Sequence, residues 1–170
     1  MQNVAELVLQ AQEPTEAPRA RRVLFVCTGN TCRSPMAAAL LNHMVSTRQQ
    51  ADKLQTVATS AGLHAPEGAP ISPHAAEVLE EAGVSCAQYA SHRARTVTED
   101  MICEADEVIA ITAGHAMELM LRYPEHAAKI NTLPMDIADP YGGNKDVYRD
   151  CLTMLSYAIA MRYFSCEEKA

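Results

Sequence analysis

Residues 23–35 read Val23-Leu24-Phe25-Val26-Cys27-Thr28-Gly29-Asn30-Thr31-Cys32-Arg33-Ser34-Pro35, and the fold follows from how this stretch changes character. Val23 to Val26 is an unbroken apolar run, as expected of a strand covered on both faces. Ser34-Pro35 then reads as a helix start, with serine at the N-cap and proline at the first helical position. Met36, Leu40, Leu41, Met44 and Val45 follow at helical spacing. The stretch is therefore a strand, a tight loop and a helix.

The same alternation recurs along the chain. Gln55 to Thr59 reads as a strand that ends at Ser60-Ala61-Gly62. Ser72-Pro73 opens a second helix, with Ala76, Val78 and Leu79 inside and Gly83 as its stop. Thr98 caps a short helix over Glu99 to Cys103, and Glu107 to Ile111 is a third strand. Ala113 to Tyr123 is helical and stops before Pro124, and Lys129-Ile130-Asn131 is a short fourth strand. Asp139-Pro140-Tyr141-Gly142-Gly143 is a loop. A last helix runs from Asn144 to Phe164, with Val147, Cys151, Met154, Leu155 and Ala158 on one stripe. Strands alternating with helices predict an α/β fold: a single-domain sandwich with a four-stranded parallel sheet, right-handed crossovers and helices on both faces. Ligands of such folds bind beyond the carboxyl ends of the strands, where the loop from Cys27 to Ser34 lies.

Composition narrows the partners. With 170 residues the chain suits one domain, expected over 21–170. Residues 1–20, interrupted by Pro14 and Pro18, read as a flexible N-terminal extension. A net charge of −7 gives no general attraction for nucleic acid or anionic membranes, so any phosphate must be held by a local positive site. No stretch is long and apolar enough to span a membrane. Six cysteines, at 27, 32, 86, 103, 151 and 166, are spread over a full-sized domain without an export signal. Reduced thiols and a cytoplasmic setting are expected. His43, His64, His74, His115 and His126 show no metal-like spacing, and neither a metal nor a cofactor is expected.

The loop after the first strand carries the chemistry. Successive backbone N–H groups in a tight turn form an anion nest, and a helix N-terminus adds positive potential at the same point. Gly29 and Asn30 tolerate the left-handed conformations a nest needs. A cysteine there has its thiolate stabilised by the amides, by the helix end and by Arg33. Ser34 can donate a further hydrogen bond to the sulfur. The Arg33 guanidinium can clamp two phosphoryl oxygens. Taken singly, a cysteine in a strand-end turn is usually an inert core residue and a glycine is simply a turn. The joint pattern of buried strand, cysteine, five loop residues, Arg-Ser and proline predicts in-line attack of Cys27 on phosphorus, giving a phosphocysteine that water hydrolyses.

Cys27 to Pro35 resembles the signature loop of the low-molecular-weight protein tyrosine phosphatases, and the resemblance extends over about residues 22–165. Ser60-Ala61-Gly62, His92-Arg93-Ala94-Arg95 and Asp139-Pro140-Tyr141 match the family's further motifs in order. The resemblance implies Cys27, Arg33 and Asp139 as catalytic residues. Asp139 is the general acid and then the base for the hydrolytic water, with Asp136 its neighbouring alternative. Thr28, Gly29, Asn30, Thr31, Cys32, Ser34 and Tyr141 contact the substrate, while Ser60 and His92, with Asn30 and Ser34, hold the loop's shape. It also implies phosphorylated proteins and phosphate-like anions as partners, with no metal.

Thr31 occupies a position that is aliphatic in many of the family's tyrosine phosphatases. Thr-Cys-Arg-Ser-Pro-Met together with Asp-Pro-Tyr-Gly-Gly resembles the family's protein arginine phosphatases, which implies hydrolysis of phosphoarginine. A hydroxyl at the pocket rim matches guanidino N–H groups better than an aromatic ring. Two departures stand out: Ala38, where glutamate is common, and Tyr141, where arginine phosphatases often have phenylalanine. The alternatives are a protein tyrosine phosphatase, a thioredoxin-coupled arsenate reductase and a phosphate-binding or redox-sensing module. The arsenate reductase needs two further cysteines; Cys86 is a candidate, whereas Cys103 reads as deep in a helix-strand context. Cys32 can trap an oxidised Cys27 as a disulfide.

Overall fold

The structure is a computed structural model that describes residues 19–48 and 55–164. Its strands are β1 (Arg21–Cys27), β2 (Thr56–Gly62), β3 (Glu107–Ala110) and β4 (Ile130–Thr132). Its α-helices are α1 (Arg33–Thr47), α2 (Pro73–Glu81), α3 (Glu99–Glu104), α4 (Ala113–Arg122) and α5 (Lys145–Phe164). Short 3-10 segments at Cys86–Gln88 and Pro124–Lys129, which the sequence reading did not anticipate, complete the set.

All strands are parallel, in the order β2-β1-β3-β4. β1 lies in the interior of the sheet, which explains its unbroken apolar run: both of its faces are covered. Val23, Phe25 and Cys27 pack with residues of α1, α2 and α5 on one face. Leu24 and Val26 pack on the other with Ile102 of α3 and Ala116 and Leu119 of α4. The two-residue period of the strand thus sends Cys27 to the α1 side. The register aligns Cys27 with Gly62 of β2, and the amide of Ile111 after β3 donates to Val26 O at 2.9 Å. The loop 28–32 therefore leaves the carboxyl end of the sheet between two neighbouring strand ends.

Several boundaries differ from the sequence reading for identifiable reasons. β1 starts at Arg21 because the polar residues there find partners: Arg21 pairs with Glu107, and Arg22 with Glu104. β2 runs to Gly62, since pairing with β1 continues to the end. Helix α1 begins at Arg33 with Cys32 as its N-cap and no side-chain cap, so Ser34 lies inside the helix. Ser72 precedes α2 but likewise makes no side-chain cap; its hydroxyl donates to the Tyr148 hydroxyl at 3.1 Å. On α5 the buried stripe is Tyr148, Cys151, Leu152, Leu155, Ala158 and Ile159. Val147 and Met154 are exposed, because the buried stripe is set by packing on α1 and α2 rather than by apolar character alone. Cys103 is exposed on α3, correcting its reading as deeply placed.

The expected extension over residues 1–20 falls almost wholly outside the described residues, as does Cys166. Among the described residues no helix is long and apolar enough to cross a membrane, and no group of His, Cys, Asp and Glu could hold a metal ion.

Candidate active site

The loop after β1 is shaped by Asn30. It is the one described non-glycine residue with positive φ, at 54°, and it is completely buried. Every polar atom of its side chain is engaged. Nδ2 donates to Ser34 Oγ and Ser60 Oγ, each at 2.9 Å, and Oδ1 accepts the Arg95 amide at 3.0 Å. Its carbonyl accepts from His92 Nε2 at 2.7 Å. A carbonyl can only accept, so Nε2 of His92 carries the proton. Burial pushes the His92 imidazole below its usual range, with the Arg95 and Arg93 charges acting the same way, which favours the neutral ring.

Gly62 makes room for this loop. A Cβ there would lie 2.6 Å from Thr28 O and 3.0 Å from Asn30 N, both backbone atoms. The loop is further pinned by Leu63 N to Cys27 O and His64 N to Thr28 O, both at 2.9 Å, and by Ser72 N to Thr31 O at 2.8 Å.

Cys27 Sγ lies 3.0 Å from Ser34 Oγ. The Ser34 hydroxyl also faces Ala61 O at 3.1 Å. It has one hydrogen for two acceptors. A thiol can donate to Ser34 while Ser34 donates to Ala61; a thiolate draws the Ser34 hydrogen to itself. This duty explains why Ser34 is not the helix cap.

Arg33 is 6% exposed. Its guanidinium donates to Ile137 O at 3.2 Å and to Asp139 Oδ2 at 2.6 Å. The other carboxylate oxygen, Oδ1, accepts the Tyr141 amide at 3.1 Å. Asp139 is thus fixed by its own turn on one side and by Arg33 on the other. Asp136 is occupied elsewhere, accepting the Ala113 amide at the start of α4.

A cavity of about 280 Å³ collects these groups. Its wall includes Cys27, the loop residues Thr28 to Arg33, Pro66, Asp139 and Tyr141. Thr31 is half-buried at its side, with Oγ1 3.6 Å from Cys32 Sγ, and Tyr141 at its rim is 80% exposed. Ser34, Ser60 and His92 stand behind the loop rather than in the cavity wall.

Three residues to which the sequence reading gave no role also hold the loop. His115 Nε2 meets Thr28 Oγ1 at 2.9 Å, and its Nδ1 meets Thr112 Oγ1 at the same distance. Burial pushes this imidazole below its usual range, and the charge of Arg33 adds to that. The Tyr148 hydroxyl contacts Cys32 Sγ at 3.2 Å, and burial raises its pKa to about 12. Arg95 supplies the amide that holds Asn30, and its Nε donates to Ser60 O at 3.1 Å. The sequence did mark Arg95, inside the matched motif His92–Arg95, and the spacing Thr112 to His115 fits a cap, the Thr112 hydroxyl accepting the His115 amide. Cys27, Cys32, Cys86, Cys103 and Cys151 are free; Cys86 and Cys103 lie exposed on separate elements, away from the cavity wall.

Comparison with known proteins agrees with this geometry. The family model described as low molecular weight phosphotyrosine protein phosphatase matches residues 22–161. A protein-arginine-phosphatase of Geobacillus stearothermophilus is 44% identical over 135 residues, covering 75% of this chain and 84% of that protein. A probable low molecular weight protein-tyrosine-phosphatase, EpsP, of Ralstonia nicotianae is 32% identical over 143 residues, covering 82% and 91%. The solved structure of a YwlE arginine phosphatase mutant with a phosphorylated active-site serine superimposes with a TM-score of 0.74 at 31% identity, covering 81% of this chain and 90% of that one.

The backbone contact at Gly62 generates a test. Gly62→Ala must push β2 or the loop aside, at a stability cost of about 1–3 kcal/mol. A displacement on the order of 1 Å at the cysteine loop lowers kcat/KM on an aryl phosphate by about 10²-fold. Urea unfolding and steady-state kinetics on the same preparation check this; unchanged kcat/KM would mean that the loop does not depend on the close approach.

Proposed function

The chain belongs to the low molecular weight phosphotyrosine protein phosphatase family, and from that membership we propose that it hydrolyses phosphoarginine in proteins, with Cys27 as nucleophile, Arg33 as phosphoryl clamp and Asp139 as general acid and base. One observation carries this reading: a single small cavity has Cys27, the loop that follows it, Arg33, Thr31 and Asp139 in its wall.

The phosphoryl group enters the nest of backbone N–H groups between Thr28 and Arg33. Its oxygens take guanidinium donors from Asp139, so the Arg33–Asp139 pair is exchanged for an Arg33–phosphoryl pair. Cys27 Sγ attacks phosphorus in line as the P–N bond breaks, with Ser34 stabilising the sulfur anion beforehand. Asp139, set free from Arg33, takes up a proton from solvent and gives it to the departing guanidino nitrogen. Water then attacks the phosphocysteine while Asp139 takes its proton, and inorganic phosphate leaves the thiolate behind. The phosphorylated serine in the YwlE mutant supports a covalent phosphoenzyme for this loop type.

Phosphoarginine is favoured over phosphotyrosine by Thr31. Its hydroxyl sits at the side of the cavity, where the guanidino group of a bound substrate would present N–H donors. The second reading, a tyrosine phosphatase, draws on Tyr141, whose exposed ring at the rim could stack on an aromatic substrate. The substrates are proposed to be phosphorylated proteins and the compartment the cytoplasm, where a thiol nucleophile stays reduced. Cys27 and Cys32 share the cavity wall, which supports their pairing on oxidation.

Asp139→Asn removes the proton donor but keeps the turn. Turnover of phosphoarginine peptide is expected to fall about 10²- to 10⁴-fold, and that of nitrophenyl phosphate much less, because an activated leaving group departs with little protonation. Equal losses on both substrates would move the acid elsewhere. Wild type should prefer phosphoarginine to phosphotyrosine peptides, and Thr31→Ile should reverse the order. Loss of a polar partner and gain of apolar contact together shift relative kcat/KM by roughly 10- to 10³-fold. A wild type that prefers phosphotyrosine would replace the arginine reading with the tyrosine one.

A further inference from the structure

A second cavity, of about 530 Å³, lies behind the cysteine loop on the β2 side of the sheet. Ala38 and Asn42 of α1 and Ser60 of β2 form part of its wall, and the segment that carries His92, Arg93 and Arg95 closes it. Its volume is in the range of small-molecule sites.

Its charges set it apart. Arg33, Arg122, Arg149 and Arg162 each face a carboxylate. Among the described residues Arg93 and Arg95 face none. The Arg93 guanidinium reaches only the carbonyl of His92, at 2.7 Å, and that of Arg95 only Ser60 O. Each guanidinium has five N–H donors, so most remain for a ligand. The carboxylate on the wall, Glu67, accepts the Thr96 amide at 2.6 Å. The hydroxyl of Tyr89, a nearly buried residue of the same wall, has no partner among the described residues.

We propose that this cavity is a second anion site, which takes the phosphate group of a small molecule between Arg93 and Arg95. Two planar guanidiniums suit the several oxygens of a phosphate, and Tyr89 adds a donor. The site is one hydrogen bond from the cysteine loop, because His92 both lines it and holds Asn30 O. It does not rest on the role proposed for Cys27, since its readout is binding rather than turnover.

Titration of the ¹⁵N-labelled full chain with inorganic phosphate at low salt, followed by ¹H–¹⁵N correlation spectra, tests this. Two separate binding curves are expected, one on amides 28–33 and one on amides 91–95. Arg33→Ala should weaken the first and keep the second. Joint Arg93→Ala and Arg95→Ala should weaken the second by about tenfold or more. Ala38→Glu keeps both arginines and places a carboxylate in the wall, and it should abolish the second curve. Phenylphosphonate carries the same anion on an organic group. Tighter binding of it at amides 91–95 assigns the site to an organic phosphate; tighter binding of inorganic phosphate assigns it to the free ion. A single curve in wild type, confined to amides 28–33, would overturn the proposal. So would a second curve that survives in both the Ala38→Glu and the double-arginine proteins.

Discussion

Asn30 is the constraint on which the candidate site depends. A left-handed residue in the middle of a loop costs free energy unless its surroundings hold it. Here the surroundings come from two distant parts of the chain: Ser60 on β2, and the segment that supplies both His92 and the amide of Arg95. Each of these bonds is worth about 1 kcal/mol net, but an Asn30 left buried without them would lose about 1–3 kcal/mol for each orphaned group. The penalty for misfolding the loop is therefore larger than the gain from any one contact. Gly62 permits the arrangement by letting the Thr28 and Asn30 backbones approach β2 closer than any side chain would allow.

Once the loop is held, the rest of the site follows by short links. Ser34 receives one Asn30 hydrogen bond and faces the Cys27 sulfur, so the residue that shapes the loop also determines the Ser34 hydroxyl's orientation. Arg33 begins α1 and is buried beside the same loop, with Asp139 brought to it by the turn after Ile137. The Arg33–Asp139 contact has one deeply buried partner and one half-exposed partner. In the proposed mechanism a phosphoryl dianion competes for the same guanidinium with more charge and more acceptor oxygens than the carboxylate, which favours exchange. The proposed exchange would link substrate arrival to release of Asp139.

Much of this was legible in the sequence, for physical reasons. The run Val23 to Val26 announced a doubly covered strand, and the cysteine, glycine, asparagine, arginine and proline that follow it are residue types with few other reasons to stand together. The helix cap was misread at Ser34 because local capping preference was outweighed by a tertiary demand from Cys27 and Ala61. His115 and Tyr148 were missed, and Arg95, though inside a matched motif, was given no role, because each acts on a residue far along the chain: His115 reaches Thr28 across 87 positions and Tyr148 reaches Cys32 across 116. No local pattern records such pairings. The stripe on α5 was partly misassigned for a related reason: Val147 and Met154 are apolar but face away from the core, while the polar-tipped Tyr148 faces in.

The central claim is that Cys27 attacks phosphorus. Acid-quenched mixing of enzyme with phosphoarginine peptide, followed by mass spectrometry of the digested protein, tests it directly, with Asp139→Asn used to slow hydrolysis of the intermediate. The mechanism predicts one phosphoryl group on the peptide that contains Cys27, formed and lost at rates consistent with turnover, and no label in Cys27→Ala, which keeps no nucleophile at this position. A phosphoryl group on a residue other than Cys27, or continued turnover by Cys27→Ala, would contradict it.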